Sequence, residues 1–152
     1  MTTTTRANDT ILKKLEETAR AMVAPGKGIL AADESNPTIK KRFDTIHVES
    51  TEENRRFYRE MLFTTHGLED HISGVILFDE TLRQSAADGT PFSKILSDKG
   101  ILPGIKVDKG LTPIPNTLGE TVTQGLDGLS ERLAEYSKLG AKFAKWRAVI
   151  QI

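Results

Sequence analysis

The sequence predicts an α/β fold of repeated strand–helix units, on three observations. Short apolar runs end on, or are interleaved with, charged residues. Gly28-Ile29-Leu30-Ala31-Ala32 stops at Asp33 and Glu34, and residues 72–78 stop at Asp79 and Glu80. Residues 104–108 alternate Ile105 and Val107 with Lys106 and Asp108, and residues 143–150 carry Lys145 and Arg147. A buried strand that delivers polar groups at its C-terminal end is how barrel and doubly wound α/β enzymes assemble a shared site. The strand starts, near residues 28, 72, 104 and 141, are about 30–45 residues apart, as βα units require. Finally, residues 72–78 are almost continuously apolar, the pattern of a parallel strand covered on both faces.

The elements follow in order. Residues 1–8 read as a polar tail. A helix capped by Asp9 or Thr10 runs to about Val23, with Ile11, Leu12, Leu15, Ala19, Met22 and Val23 on one face. Pro25-Gly26 stops it, and the first strand follows. Asn36-Pro37-Thr38 opens a short helix through about Phe43, with proline in its first turn. Thr51 caps a helix to about Thr64, and Glu52 and Glu53 complement its dipole. Pro91 to about Lys99 is helical and ends at Gly100. Residues 110–128 form a long polar loop, and loops of that length inside a compact domain are often functional. A helix from Leu129 to about Leu139 closes on Gly140, before a fourth strand over residues 141–152.

Length and composition narrow the function. The chain has 152 residues, 38% hydrophobic and 28% charged, with 21 Lys+Arg against 21 Asp+Glu. That balance argues against nucleic acid or an anionic membrane as the main partner. With no cysteine, disulfides, thiolate nucleophiles and cysteine metal sites are ruled out. No apolar run approaches the ~20 residues of a membrane span. The N-terminus lacks the apolar stretch of a signal peptide, so a cytoplasmic protein is expected. A chain that stops within an apolar strand is expected to be part of a longer one. Four strands are half of a (β/α)8 TIM barrel, which takes about 250 residues. The expected organisation is a tail and helix over residues 1–24 and the first half of a barrel over residues 25–152.

Strand alternation nominates side chains. Phe143, Lys145 and Arg147 share one face of the last strand, and Ala144, Trp146 and Ala148 share the other. Lys145 and Arg147 either enter a barrel mouth, where they need water, a partner or an anionic ligand, or lie on a solvated edge. Lys106 either joins a cationic phosphate pocket or pairs with Asp108 on an exposed face. Asp33 has the parity of Ile29 and Ala31. If that parity faces a barrel, Asp33 lies near Lys106 and Lys145, where a carboxylate can orient an amine or assist proton transfer. Otherwise Asp33 or Ser35 caps the next helix. His47, His66 and His71 have no metal-ligand spacing.

Several blocks carry a specific resemblance. They include Gly26-Lys27-Gly28-Ile29-Leu30-Ala31-Ala32-Asp33-Glu34-Ser35, Thr51-Glu52-Glu53-Asn54-Arg55-Arg56-Phe57-Tyr58-Arg59, Gly104-Ile105-Lys106-Val107-Asp108-Lys109-Gly110, Thr123-Gln124-Gly125-Leu126-Asp127-Gly128-Leu129 and Phe143-Ala144-Lys145-Trp146-Arg147. In that order they resemble the N-terminal part of class I fructose-bisphosphate aldolase. The resemblance implies a (β/α)8 barrel that reversibly cleaves fructose 1,6-bisphosphate to dihydroxyacetone phosphate and glyceraldehyde 3-phosphate in glycolysis and gluconeogenesis. It implies a lysine Schiff base and no metal or cofactor, sugar phosphates as partners, and a homo-oligomer at full length. The iminium is the electron sink for the carbanion left when the carbon–carbon bond breaks. By motif, Asp33 and Lys145 are catalytic, and Ser35, Thr38, Arg42, Lys106 and Arg147 bind substrate. Asn36-Pro37-Thr38 departs from the small glycine-containing turn of animal members. The Schiff-base lysine, the glutamate acid/base and the second phosphate loop lie on later strands of the family and have no match here. The 152 residues alone are therefore expected to be inactive. The alternative is a non-catalytic half-barrel that binds sugar phosphates or acts as an assembly module.

Overall fold

The structure, a computed structural model, describes residues 3–150, with side chains from Asn8 onward. Helix α1 (Thr3–Met22) precedes β1 (Gly28–Ala32), α2 (Asn36–Asp44), α3 (Glu52–Thr64), the short α4 (Leu68–His71) and β2 (Ile72–Leu77). Then come α5 (Asp79–Leu82), α6 (Phe92–Asp98), β3 (Leu102–Lys106), β4 (Leu111–Pro113), β5 (Thr121–Thr123), α7 (Leu129–Lys138) and β6 (Phe143–Lys145). Strands β1, β2, β3 and β6 form one sheet in that order, and every pairing is parallel. Each new strand is added on the same side of the last, with no reversal of order. A doubly wound sheet reverses, so this is the arrangement of a partial (β/α)8 barrel.

Register explains the two faces. Ala32, Leu77, Ile105 and Ala144 align across the sheet. The first three are buried beneath the helices with Val75, Phe63 from α3, Phe92 and Leu96 from α6, and Tyr136 from α7. Phe63 and Phe92 meet edge to face, centroids 5.3 Å apart, within the range of favourable aromatic pairs. On the opposite face Ala31, Ile76, Gly104 and Phe143 align. The Phe143 ring lies over the two glycines of this face, so closely that a Cβ on Gly104 would stand 2.2 Å from its Cζ and one on Gly74 3.2 Å from its Cε1. The large residue on the edge strand requires the small ones beside it.

Several expectations are corrected. The fourth strand, expected over residues 141–152, is the three-residue β6, and its last two positions lie outside the described residues. The cause is its partner. β3 ends at Lys106, Val107 donates to the Lys145 carbonyl at 3.1 Å, and the chain then turns away. Ala144 is consequently exposed and Trp146 is 37% exposed, because no helix among the described residues follows β6 to cover them. The long loop contains an antiparallel hairpin, β4 with β5, closed at its base by bonds from the Lys109 amide to the Gln124 carbonyl and from the Gln124 amide to the Gly110 carbonyl. Helix α1 begins earlier than Asp9, and its Ile11, Leu12 and Leu15 are exposed. Asp79 and Glu80 open α5 instead of ending a strand. The Thr51 cap is present, accepting from the Asn54 amide at 3.1 Å. Gly140 follows α7 with φ 104°, a conformation open to glycine at little cost. Among the described residues no helix is long and apolar enough to cross a membrane.

Candidate active site

The C-terminal ends of β1, β2, β3 and β6 open on one cleft of about 1070 Å³, large enough for a small-molecule ligand. Asp33, Ser35, Thr38, Lys106, Lys145 and Arg147 all line it. Six of the seven nominated side chains are thus brought together. Arg42 is not. It sits on α2 outside the cleft lining, 60% exposed, with Nη1 2.6 Å from Glu34 Oε1.

Each position follows from local structure. Just beyond β1 both Asp33 and Glu34 line the cleft, Asp33 reaching Lys145 and Glu34 reaching Arg42 of α2 and Arg59 of α3. Lys106 and Lys145 are register partners on adjacent strands, which would place two ammonium groups side by side. Each has its own carboxylate. Lys145 Nζ donates to Asp33 Oδ2 at 2.7 Å, and Lys106 Nζ lies 3.1 Å from Asp108 Oδ1 and donates to the Asp108 carbonyl at 3.0 Å. Asp108 is nearly buried, and its Oδ2 has no hydrogen-bond partner. The alternative of an exposed Lys106–Asp108 face is therefore half right: the pair forms, but inside the cleft.

The Asp33–Lys145 contact also reports curvature. β1 and β6 are three strand spacings apart, about 14 Å in a flat sheet. A contact of 2.7 Å between their side chains needs a sheet that curls toward closure. Asp33 therefore does not cap α2. Ser35 holds the N-cap position, but its hydroxyl makes no cap bond and instead lies 3.1 Å from Thr38 Oγ1. Prolines are common in a first helical turn, and Pro37 fills that place here. Pro37 has no amide hydrogen and the Thr38 amide donates to the Ser35 carbonyl at 2.9 Å, so the start of α2 offers an anion the Asn36 amide and the Ser35 and Thr38 hydroxyls.

The far wall is a network the sequence did not reveal. Arg83 donates to Asp79 at 3.0 Å and to Glu135 at 2.6 Å, and its guanidinium lies 5.9 Å from the Tyr136 ring centroid. Burial opposes ionisation of Asp79 most strongly, but hydrogen bonds from Arg83 and Tyr136 outweigh it and hold the carboxyl below its usual range. Burial, and then the bond to Asp79, push the Tyr136 phenol up. Arg59 was also missed. It is 2% exposed, and burial pushes its guanidinium down. The available signal was helical spacing, since Arg59 lies one turn before the buried Phe63 on α3. His47, His66 and His71 are all exposed, and no group of three metal-ligating side chains occurs among the described residues.

Comparison with known proteins agrees with this geometry. The family model of fructose-bisphosphate aldolase class-I matches residues 14–152. A probable fructose-bisphosphate aldolase class 1 of Xanthomonas campestris pv. campestris is 64% identical over 141 residues, which are 93% of this chain and 42% of that protein. Fructose-bisphosphate aldolase C of Carassius auratus is 60% identical over 141 residues, 92% of this chain and 39% of its own length. Among solved structures, fructose-bisphosphate aldolase of Plasmodium falciparum, in complex with TRAP and a small-molecule inhibitor, superposes with a TM-score of 0.87 at 59% identity. The match covers 90% of this chain and 39% of that one. The chain belongs to the class I fructose-bisphosphate aldolase family, and it spans about two-fifths of the length of these relatives.

Proposed function

We propose that this chain supplies one side of a Schiff-base aldolase site, and that the whole protein, as a homo-oligomer, reversibly cleaves fructose 1,6-bisphosphate to dihydroxyacetone phosphate and glyceraldehyde 3-phosphate. The observation that carries this is the Lys145–Asp33 contact at 2.7 Å, made across the sheet at the mouth of the cleft. A carboxylate there orients a lysine toward the reacting carbons. Lys106, Ser35 and Thr38 form the phosphate side: a cation and two hydroxyls beside the start of α2. Arg147 adds a second cation at the rim, and Arg42 joins the phosphate only on leaving Glu34. Residues 25–152 are the first half of the barrel on this reading. Neither Lys106 nor Lys145 is the imine-forming lysine on this reading, since the resemblance puts that residue on a later strand.

The test is an assay of fructose 1,6-bisphosphate cleavage with borohydride trapping. Protein expressed from the complete open reading frame should turn over and trap an adduct on a lysine other than these two. The 152-residue polypeptide should do neither, since positioned acids and bases contribute typically about 10²–10⁴-fold and cannot replace an electron sink. Failure of the complete product to cleave would remove the proposal. An adduct trapped on Lys106 or Lys145 would overturn the roles.

A further inference from the structure

Arg59 is the largest fully buried side chain of the molecule, 2% exposed, on the stripe of α3 that also buries Phe63. It is a poor choice for stability. Its Nε and Nη1 have no hydrogen-bond partner, and a buried charge costs several kcal/mol unless its surroundings repay it. Burial alone would be met by an apolar residue of similar size. What the guanidinium adds is directional. Its Nη2 lies 3.0 Å from Glu34 Oε2, as an ion pair without hydrogen-bond alignment, and donates to the Glu34 carbonyl at 3.2 Å. It therefore holds both the side chain and the backbone of the residue that follows Asp33. The guanidinium is itself fixed, 5.4 Å from the Tyr58 ring centroid, and Tyr58 packs edge-on against Phe43 of α2. Arg59 thus sits where α2, α3 and the end of β1 meet. Among the described residues the other cation paired with Glu34 is Arg42, 60% exposed, which draws the same carboxylate outward.

We propose that Arg59 is a positioning residue for this site: through Glu34 it fixes the end of β1 so that the Asp33 carboxylate meets Lys145. The proposal rests on Asp33 and Lys145 being the working pair. Adjacency is what makes the coupling direct. A planar peptide joins Asp33 to Glu34, so a torque on Glu34 rotates Asp33 out of line with Lys145. Lys106 is held by Asp108 from its own stretch of chain and should not respond.

Protein from the complete reading frame is the material for the test, carrying Arg59→Met, Glu34→Gln or Asp33→Asn. Competitive acylation with acetic anhydride, read by mass spectrometry, compares Lys145 with Lys106. Loss of one charge-assisted bond should raise Lys145 acylation about tenfold in Arg59→Met, matching Asp33→Asn, with Lys106 unchanged. Glu34→Gln, nearly isosteric, should shift Lys145 in the same direction and decides the matter if Arg59→Met does not fold. The same variants should lose turnover with KM held within about threefold, the signature of an interaction made in the transition state. Lys145 acylation within about twofold of wild type in the folded variants would overturn the proposal. If acylation responds but the unaltered protein does not cleave fructose 1,6-bisphosphate, positioning stands and the aldolase assignment fails. If the protein cleaves and acylation does not respond, positioning alone fails.

Discussion

Helices α2 and α3 begin in nearly the same way and use the beginning differently. Ser35 (φ −65°, ψ 161°) and Thr51 (φ −75°, ψ 161°) occupy the two N-cap positions in the same extended conformation, each with a hydroxyl. Thr51 spends its hydroxyl on the Asn54 amide, and the first turn of α3 carries Glu52 and Glu53. Ser35 makes no cap bond, and the first turn of α2 has no acidic residue. One hydroxyl closes its own helix; the other lies against Thr38 Oγ1 at the cleft, and the Thr38 amide turns to the Ser35 carbonyl instead. The difference coincides with location, since Ser35 lines the cleft and Thr51 does not. A helix end that forgoes its own cap beside a cluster of lysines is where a local rule gives way to a functional one.

The widest separation between the two regions should appear in activity. In protein from the complete reading frame, Lys145→Ala should lower kcat by roughly 10² or more with a smaller change in KM, if its charge acts on the reacting carbons as proposed. Lys106→Ala should mainly raise KM, because a phosphate remote from the breaking bond is held alike in ground and transition states. Steady-state kinetics decide it. If Lys106→Ala loses turnover at constant KM while Lys145→Ala does the reverse, the two roles are exchanged.

Substituting the two caps sharpens the contrast directly. Thr51→Ala should cost about 1 kcal/mol of stability and leave KM unchanged, as the loss of a working cap does. Ser35→Ala should stay within about 0.5 kcal/mol by denaturant unfolding, as substitutions away from structural contacts do, and raise KM several-fold. Equal stability losses would mean that the Ser35 hydroxyl caps α2 as Thr51 caps α3.

The same contrast explains what could be read from the chain. Thr51 was legible because capping needs only residues within one turn. The four strand positions were legible as apolar runs spaced about one βα unit apart, and strand parity offered Asp33, Lys106 and Lys145 while leaving open whether their face met a site or solvent. What failed was decided elsewhere in space. The length of β6 depends on where β3 departs, at Asp108, and nothing within residues 143–150 states that. The hairpin of β4 and β5 has three-residue strands with Pro113 in one of them, too short for a period to show. Arg59 sits in a run rich in charge, where a solvated face is the ordinary expectation, yet it is buried. Arg42 was placed by motif, but its partner Glu34 is set by the packing of α2 against β1.

The smallest expected effect concerns how the start of α3 is tied to the rest of the molecule, and it appears in acid. Arg55, in the second turn of α3, donates from Nε and Nη2 to the Glu80 carboxylate at 2.8 and 2.7 Å and from Nη1 to the Ser50 carbonyl. The hydrogen bond from Arg55 holds the Glu80 carboxyl below its ordinary 4.5, and burial only partly opposes it. A depressed folded value means that the pair's contribution is complete above the unfolded pKa, near 4.5, and is lost as pH falls from there through the folded value. Glu80→Gln cannot titrate, so it should lower stability at neutral pH by on the order of 1 kcal/mol and flatten the acid limb of the melting curve. The two proteins should approach each other as the pH drops below 4.5. Parallel limbs down to acid unfolding would mean that Arg55 contributes through its bond to Ser50 alone.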